Sequence, residues 1–152
     1  MSMLSRTARG QRGFTLIELV IVMTIIAILA SGVTYYAYGQ REKAKVTRAL
    51  ADIKELELAL ETYGADNGDP PTTEQGLDAL RTKPTAQPVP NNWQGPYLRR
   101  SSTGLNDPWG NPYHYEFPGS YNQDSFDLAS TGKDGQPGGD GYNADITNWE
   151  EE

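Results

Sequence analysis

A carboxylate, Glu18, stands inside an apolar block that runs from Phe14 to Ala30. A charge at the centre of a bilayer helix costs about 2.5–3.5 kcal/mol on insertion scales, so the placement asks for a reason. Thr15-Leu16-Ile17-Glu18 also spells a capping box, and a carboxylate near a helix N-terminus is favoured by the helix dipole. Capping alone does not explain the apolar neighbours; a charge partner would. A second concentration of chemistry lies at residues 131–145, where Asp134, Asp140 and Asp145, with Asn143 beside them, sit in a glycine-rich stretch. Hard oxygen ligands on a chain that can fold tightly suit calcium. Asp, Asn and Gly are also the commonest turn residues, so a solvated turn is the competing reading. The spacing is not that of an EF-hand.

Catalysis is poorly supplied. His114 is the single histidine and lies between Tyr113 and Tyr115, where a core or surface role fits better than proton transfer. No Gly-x-Ser-x-Gly, phosphate-binding loop or His-Glu-x-x-His pattern occurs. Trp93, Trp109 and Trp149 read as packing residues rather than a carbohydrate platform. The chain reads as a non-enzyme. Its formal charge of −7 argues against nucleic-acid binding as well, because phosphates attract lysine and arginine.

The elements that must hold these groups follow from the pattern of apolar residues. At 152 residues the chain suits one compact domain plus an appendage. Its mean hydropathy of −0.62 hides an asymmetry, since most aliphatic residues lie before Tyr63. Residues 1–13 carry Arg6, Arg9 and Arg12 and no acid, and the apolar block follows. That order fits a secretory signal peptide, yet no small-x-small site closes the block; Ala30-Ser31-Gly32 is the nearest approach. A helix from Phe14 to about Tyr36 is instead long enough to span a bilayer, which needs about 20 residues. The arginines then stay cytoplasmic and the C-terminal part faces outward.

From Gln40 to Tyr63 the pattern turns amphipathic. Val46, Ala49, Leu50, Ile53, Leu56, Leu60 and Tyr63 recur at three- and four-residue spacing, with Arg48, Asp52, Glu55 and Glu57 on other faces. No proline interrupts 14–63, and Asn67-Gly68-Asp69-Pro70-Pro71 ends the helix. A short helix is expected within 72–81, capped by Thr72 or Thr73. Residues 83–96 read as an irregular proline-rich connection. Strands are expected at Tyr97–Arg100, Tyr113–Phe117 and Ser125–Ser130, between turn signals such as Asn106-Asp107-Pro108 and Gly110-Asn111-Pro112. The domain after Gly64 is loop-heavy and small, and without cysteine its staple must be a metal or packing on the long helix.

Arg12-Gly13-Phe14-Thr15-Leu16-Ile17-Glu18 resembles the cleavage site of type IV prepilins and type II secretion pseudopilins. Three further motifs, in order, resemble the major, G-type pseudopilin family: Pro71-Thr-Thr-Glu-Gln-Gly-Leu-Asp-Ala-Leu80; Asp107-Pro-Trp-Gly-Asn-Pro-Tyr113; and Gly132-Lys-Asp-Gly135 with Gly138-Gly139 and Ala144-Asp-Ile146. The resemblance implies an α+β, type IV pilin-like fold: a long N-terminal helix packed on a small antiparallel β-sheet, with a calcium-binding C-terminal loop. It divides the chain into a leader peptide 1–13, a transmembrane and polymerisation helix 14–36, the amphipathic half of that helix 37–65, and a periplasmic domain 66–152.

The same resemblance implies cutting between Gly13 and Phe14 by a prepilin peptidase and methylation of the new Phe14 amine. Glu18 would pair with that amine, in its own or an adjacent subunit. For calcium it implies Asp134, with the carbonyls of Thr131 and Gln136 as neighbours and acidic side chains after Gly138-Gly139. Some relatives have adjacent aspartates there; here the order is Asp140-Gly141-Tyr142, so Asp140 is placed ahead of Asp145. The implied function is a homopolymer, the pseudopilus, which helps move folded proteins across the outer membrane. Its implied partners are minor pseudopilins and an inner-membrane platform driven by a cytoplasmic ATPase. The alternatives are a type IV pilus subunit, against which the absence of cysteine counts, a minor pseudopilin, or a single-pass periplasmic binding protein that never polymerises.

Overall fold

The computed structural model describes residues 13–98 and 105–149, with the backbone alone described over 31–38. One helix, α1 (Leu16–Asn67), takes up 52 residues of it. Thr15 starts it: the Glu18 amide donates to Thr15 Oγ1 at 3.3 Å, which is one half of the capping box read from the sequence. The helix ends at Asn67, at the start of the Asn67–Pro71 stop expected from the sequence. Asn67 Nδ2 reaches back to the Tyr63 carbonyl at 2.9 Å, and Gly68 closes the last turn on Gly64 at 2.8 Å. Gly68 has φ +99°, a conformation that glycine enters without strain, and Pro70-Pro71 then forbids continuation.

The chain forms two compact units, residues 1–40 and 41–152. In the first, the large apolar side chains described between Phe14 (84% exposed) and Leu29 (65% exposed) all face outward. Among the described residues no helix is long and apolar enough to cross a membrane. The expected span 14–36 runs into side chains 31–36, which lie outside the described residues, as do leader residues 1–12.

In the second unit one face of α1, carrying Ala49, Ile53, Leu56, Ala59, Leu60 and Tyr63, is buried against Leu77, Leu80, Leu98, Tyr113, Tyr115, Phe126, Leu128 and Ile146. Two assignments from the periodic pattern need correction. Leu50 is 46% exposed, because its neighbour Ala49 occupies the inward position instead. Asp52, expected on a polar face, is buried, and its carboxylate accepts the Tyr113 hydroxyl at 3.2 Å and meets Arg48 at 3.6 Å.

The sheet is antiparallel and ordered β1 (His114–Glu116), β2 (Asp127–Ser130), β3 (Ile146–Thr147). Tyr115 faces Leu128 across β1 and β2, and Ser130 faces Ile146 across β2 and β3. Two expected strands are present in shortened form. Of the strand expected at Tyr97–Arg100, Tyr97 and Leu98 are not strand, since both amides turn to the Leu80 carbonyl, while Arg99 and Arg100 lie outside the described residues. The third strand is β3. The short helix is a single 3-10 turn, Leu77–Leu80, entered through Gly76 with no side-chain cap; the reciprocal Thr72–Gln75 hydrogen bonds of 3.1 and 3.2 Å close the turn before it, so the cap expected from Thr72 or Thr73 is corrected.

Candidate functional site

Residues 131–145 connect β2 to β3, so both ends of the loop are anchored in the sheet. The loop folds on itself through Lys133 N to the Tyr142 carbonyl and Asn143 N to the Asp140 carbonyl, both 3.0 Å. Its first glycine is obligatory. Gly132 has φ +63°, and a Cβ there would lie 2.7 Å from the Asn143 carbonyl oxygen and 2.8 Å from that of Ala144.

The three aspartates are differently placed. Asp134 is exposed and its Oδ1 accepts the Gln136 amide at 3.1 Å. Asp140 is exposed. Asp145 is half-buried; its Oδ2 accepts the Gly138 amide at 2.8 Å, whereas its Oδ1 is buried without a hydrogen-bond partner. A buried carboxylate oxygen left without a donor is costly and is the kind of atom a cation satisfies. Among the described residues no three acidic or histidine side chains converge as a metal group. Any cation here must therefore combine one or two carboxylates with backbone carbonyls, a donor set that suits calcium's flexible oxygen coordination. Thr131 and Gln136 flank Asp134 in this loop, and of Asp140 and Asp145 it is Asp145 that carries the buried carboxylate oxygen.

A polar network beneath the loop went unread in the sequence. Asp107 and Ser130 are both buried, and Ser130 Oγ donates to Asp107 Oδ2 at 2.6 Å. Asp107 Oδ1 accepts the Trp109 amide at 3.0 Å and the Asn111 amide at 2.8 Å, while Asn111 Nδ2 donates to the Gly132 carbonyl at 2.8 Å. The turn dipeptides around Pro108 and Pro112 were the available signal; they mark a turn but not what it holds. His114 is exposed, and Trp149 stacks on Tyr121 with ring centres 4.5 Å apart.

At the N-terminus, a Cβ built on Gly13 would have nothing within 4 Å. Packing among the described residues therefore places no demand for glycine there. Phe14 is exposed, and Glu18 is exposed at the first turn of α1, among apolar side chains that are themselves exposed.

Residues 37–149 match a family model described as type II secretion system, protein G. The chain belongs to that family. Residues 8–34, which include Gly13, Phe14 and Glu18, match the prokaryotic N-terminal methylation motif. The type II secretion system core protein G of Pseudomonas aeruginosa is 47% identical over 143 residues, covering 93% of this chain and 97% of that protein. The Vibrio cholerae core protein G is 48% identical over 142 residues, with 93% of each covered. The crystal structure of the major pseudopilin from enterohaemorrhagic Escherichia coli matches with a TM-score of 0.61 at 42% identity, over 73% of this chain and 87% of that one. The fold is type IV pilin-like, and the family role is that of a major pseudopilin.

Proposed function

We propose that the chain is made as a membrane-inserted precursor, cut between Gly13 and Phe14, methylated on the Phe14 amine, and polymerised through α1 into a periplasmic pseudopilus. The observation that carries this reading is the first unit itself. Its described apolar side chains, from Phe14 to Leu29, face outward all round the helix, and a helix apolar on every side is stable only inside a bilayer or a bundle of its own kind. Glu18 begins that surface and is its one carboxylate. In a bundle of such helices an uncompensated charge is strongly destabilising, so Glu18 and the Phe14 amine of the same or a neighbouring subunit satisfy each other and set the register. The precursor would sit in the inner membrane with residues 66–152 in the periplasm. A prepilin peptidase, minor pseudopilins and an inner-membrane assembly platform would be its partners, and the chain itself would perform no catalysis. Electron microscopy of sheared cells tests the reading: wild type yields filaments, Glu18→Ala inserts and is processed but yields few, and wild-type filament numbers from Glu18→Ala would refute the charge pair.

The loop 131–145 is proposed to hold calcium, with Asp134 and Asp145 as carboxylate ligands, Asp140 as a secondary contributor, and the Thr131 and Gln136 carbonyls completing the oxygen set. Bound there, calcium would supply positive charge to carboxylates that otherwise repel each other. The residues support this through the partnerless buried Asp145 oxygen and through the glycine turns that bring residues 132 and 143 into contact. No apolar core closes this loop, since residues 133–141 are all exposed.

A further inference from the structure

The Asn111 carboxamide lies against the loop at its first turn. Its Nδ2 donates to the Gly132 carbonyl at 2.8 Å. A Cβ built on Gly135, at φ +69°, would lie 2.9 Å from Asn111 Oδ1 and 3.2 Å from its Cγ. The side chain therefore touches both glycines that bracket Lys133 and Asp134. We propose that Asn111 is a positioning residue for the cation loop, holding the turn that presents Asp134 and the flanking carbonyls; this rests on the calcium reading above.

The Asn111 side chain and the Asn111 backbone do different work. The turn at 107–111 is made by main-chain and Asp107 contacts: Asp107 N to the Asn111 carbonyl at 2.7 Å, Gly110 N to the Asp107 carbonyl at 3.0 Å, and Asn111 N to Asp107 Oδ1 at 2.8 Å. None of these uses the carboxamide. The turn is fixed to β2 by the Asp107–Ser130 bond, and Ser130 Oγ also accepts the Gly132 amide at 3.3 Å. Asn111 thus stands on a support already rigid without its side chain and extends one donor and one van der Waals surface to the loop. Gly132 is held from both sides, its N–H by Ser130 and its C=O by Asn111. A carbonyl so fixed orients the next peptide, and with it the backbone leading into Asp134. Without calcium, repulsion among the carboxylates favours an open loop in which the Asn111 bond is not needed. With calcium, the closed loop uses it.

The consequence is a split between affinity and basal stability. On the full-length chain in detergent micelles, calcium binding is measured by titration calorimetry and thermal unfolding is followed in chelator. Asn111→Ala should raise the calcium dissociation constant about three- to tenfold, the worth of one hydrogen bond, while leaving the melting temperature in chelator at the wild-type value. Asn111→Asp keeps the shape but replaces the donor with an acceptor facing the Gly132 carbonyl, and should weaken binding at least as much. Gly135→Ala should reproduce the effect from the loop side. Wild-type calcium affinity in Asn111→Ala and Asn111→Asp, with or without a lower melting temperature in chelator, would make Asn111 an ordinary turn residue and overturn the proposal alone. If the wild-type chain binds no calcium, the calcium reading and this inference fall together.

Discussion

Trp109 donates its indole N–H to Glu42 Oε2 at 2.9 Å, a bond between residues 67 positions apart that fastens the 107–111 turn to α1. Glu42 is buried, and Lys45, at 3.9 Å and itself 40% exposed, gives it only a long and partly solvated counter-charge. Glu42→Ala should leave the indole N–H without an acceptor and cost about 1–3 kcal/mol in thermal or denaturant unfolding. Glu42→Gln retains an acceptor and should cost less. Equal losses from the two substitutions would mean that side-chain packing, not the bond, matters at this position.

Glu57 offers a pH test. Burial raises its carboxyl pKa above the ordinary 4.5, with Glu61 adding to the rise and the Asn148 hydrogen bond and Lys54 opposing it. A raised carboxyl pKa means that the folded chain holds the proton more tightly than the unfolded one. Stability is therefore lost as pH climbs from the ordinary value through the raised one, and the full penalty is present at neutrality. Glu57→Gln keeps a partner for Asn148 and removes the charge. It should raise the melting temperature slightly at pH 7 and do nothing below about pH 4. A gain of the same size at both pH values would rule out ionisation as its cause.

How much of this could be read in the sequence depended on range. Helix α1 was legible because an unbroken proline-free run with a three- and four-residue stripe admits few other forms. Where two adjacent residues could both satisfy the stripe, as with Ala49 and Leu50, the pattern alone could not choose; contact with the sheet did. Strand β3 is only two residues long and owes its existence to Ala129 and Ser130 opposite it, so no local signal marked it. Tyr97 looked like a strand residue, but its hydroxyl joins Asp66, Asn67 and the Gln94 amide, and the ring packs on Tyr63 and Trp93. The aspartates of the loop were visible as ligand types. Which of their oxygens the folded loop buries was not, because that depends on contacts such as the one between Asp145 and the Gly138 amide. The Asp107–Ser130 bond spans 23 residues, and only the closed sheet brings that pair together.

Processing makes a sharp chemical prediction. If the chain is cut after Gly13, Arg6, Arg9 and Arg12 leave with the leader, and 13 basic against 20 acidic side chains become 10 against 20, a formal charge of −10. Among the described residues nothing lies within 4 Å of a Gly13 Cβ, so Gly13→Leu should fold and insert normally yet accumulate as full-length precursor. Intact mass and N-terminal sequencing decide it: the wild type should begin at methylated Phe14 and the variant at the precursor end. Efficient cutting of Gly13→Leu would show that the small residue is dispensable, and a wild-type end near Ala30 would replace the whole scheme with ordinary signal cleavage.

Calcium should act as the staple that the missing cysteines cannot provide. Ordering a residue costs roughly 1–2 kcal/mol of backbone entropy, and residues 133–141 are exposed and bury almost nothing to offset it. An ion that binds only the closed loop shifts the balance by mass action, about 2.7 kcal/mol at a hundred times its dissociation constant. The full chain in detergent should therefore melt higher in millimolar calcium than in chelator. Magnesium should substitute poorly, since it demands a tight octahedron and sheds water reluctantly. Asp134→Ala should abolish the difference, and Asp145→Ala should remove most of it, because Asp145 Oδ1 is a buried carboxylate oxygen without a donor among the described residues. Asp140→Ala, at an exposed position, should only reduce it. Asp145→Asn separates the ion from the fold: it keeps an acceptor for the Gly138 amide but forfeits the charge, so it should retain the chelator melting temperature and lose the calcium increment. Identical melting of the wild type in calcium and in chelator would leave residues 131–145 as a turn and nothing more.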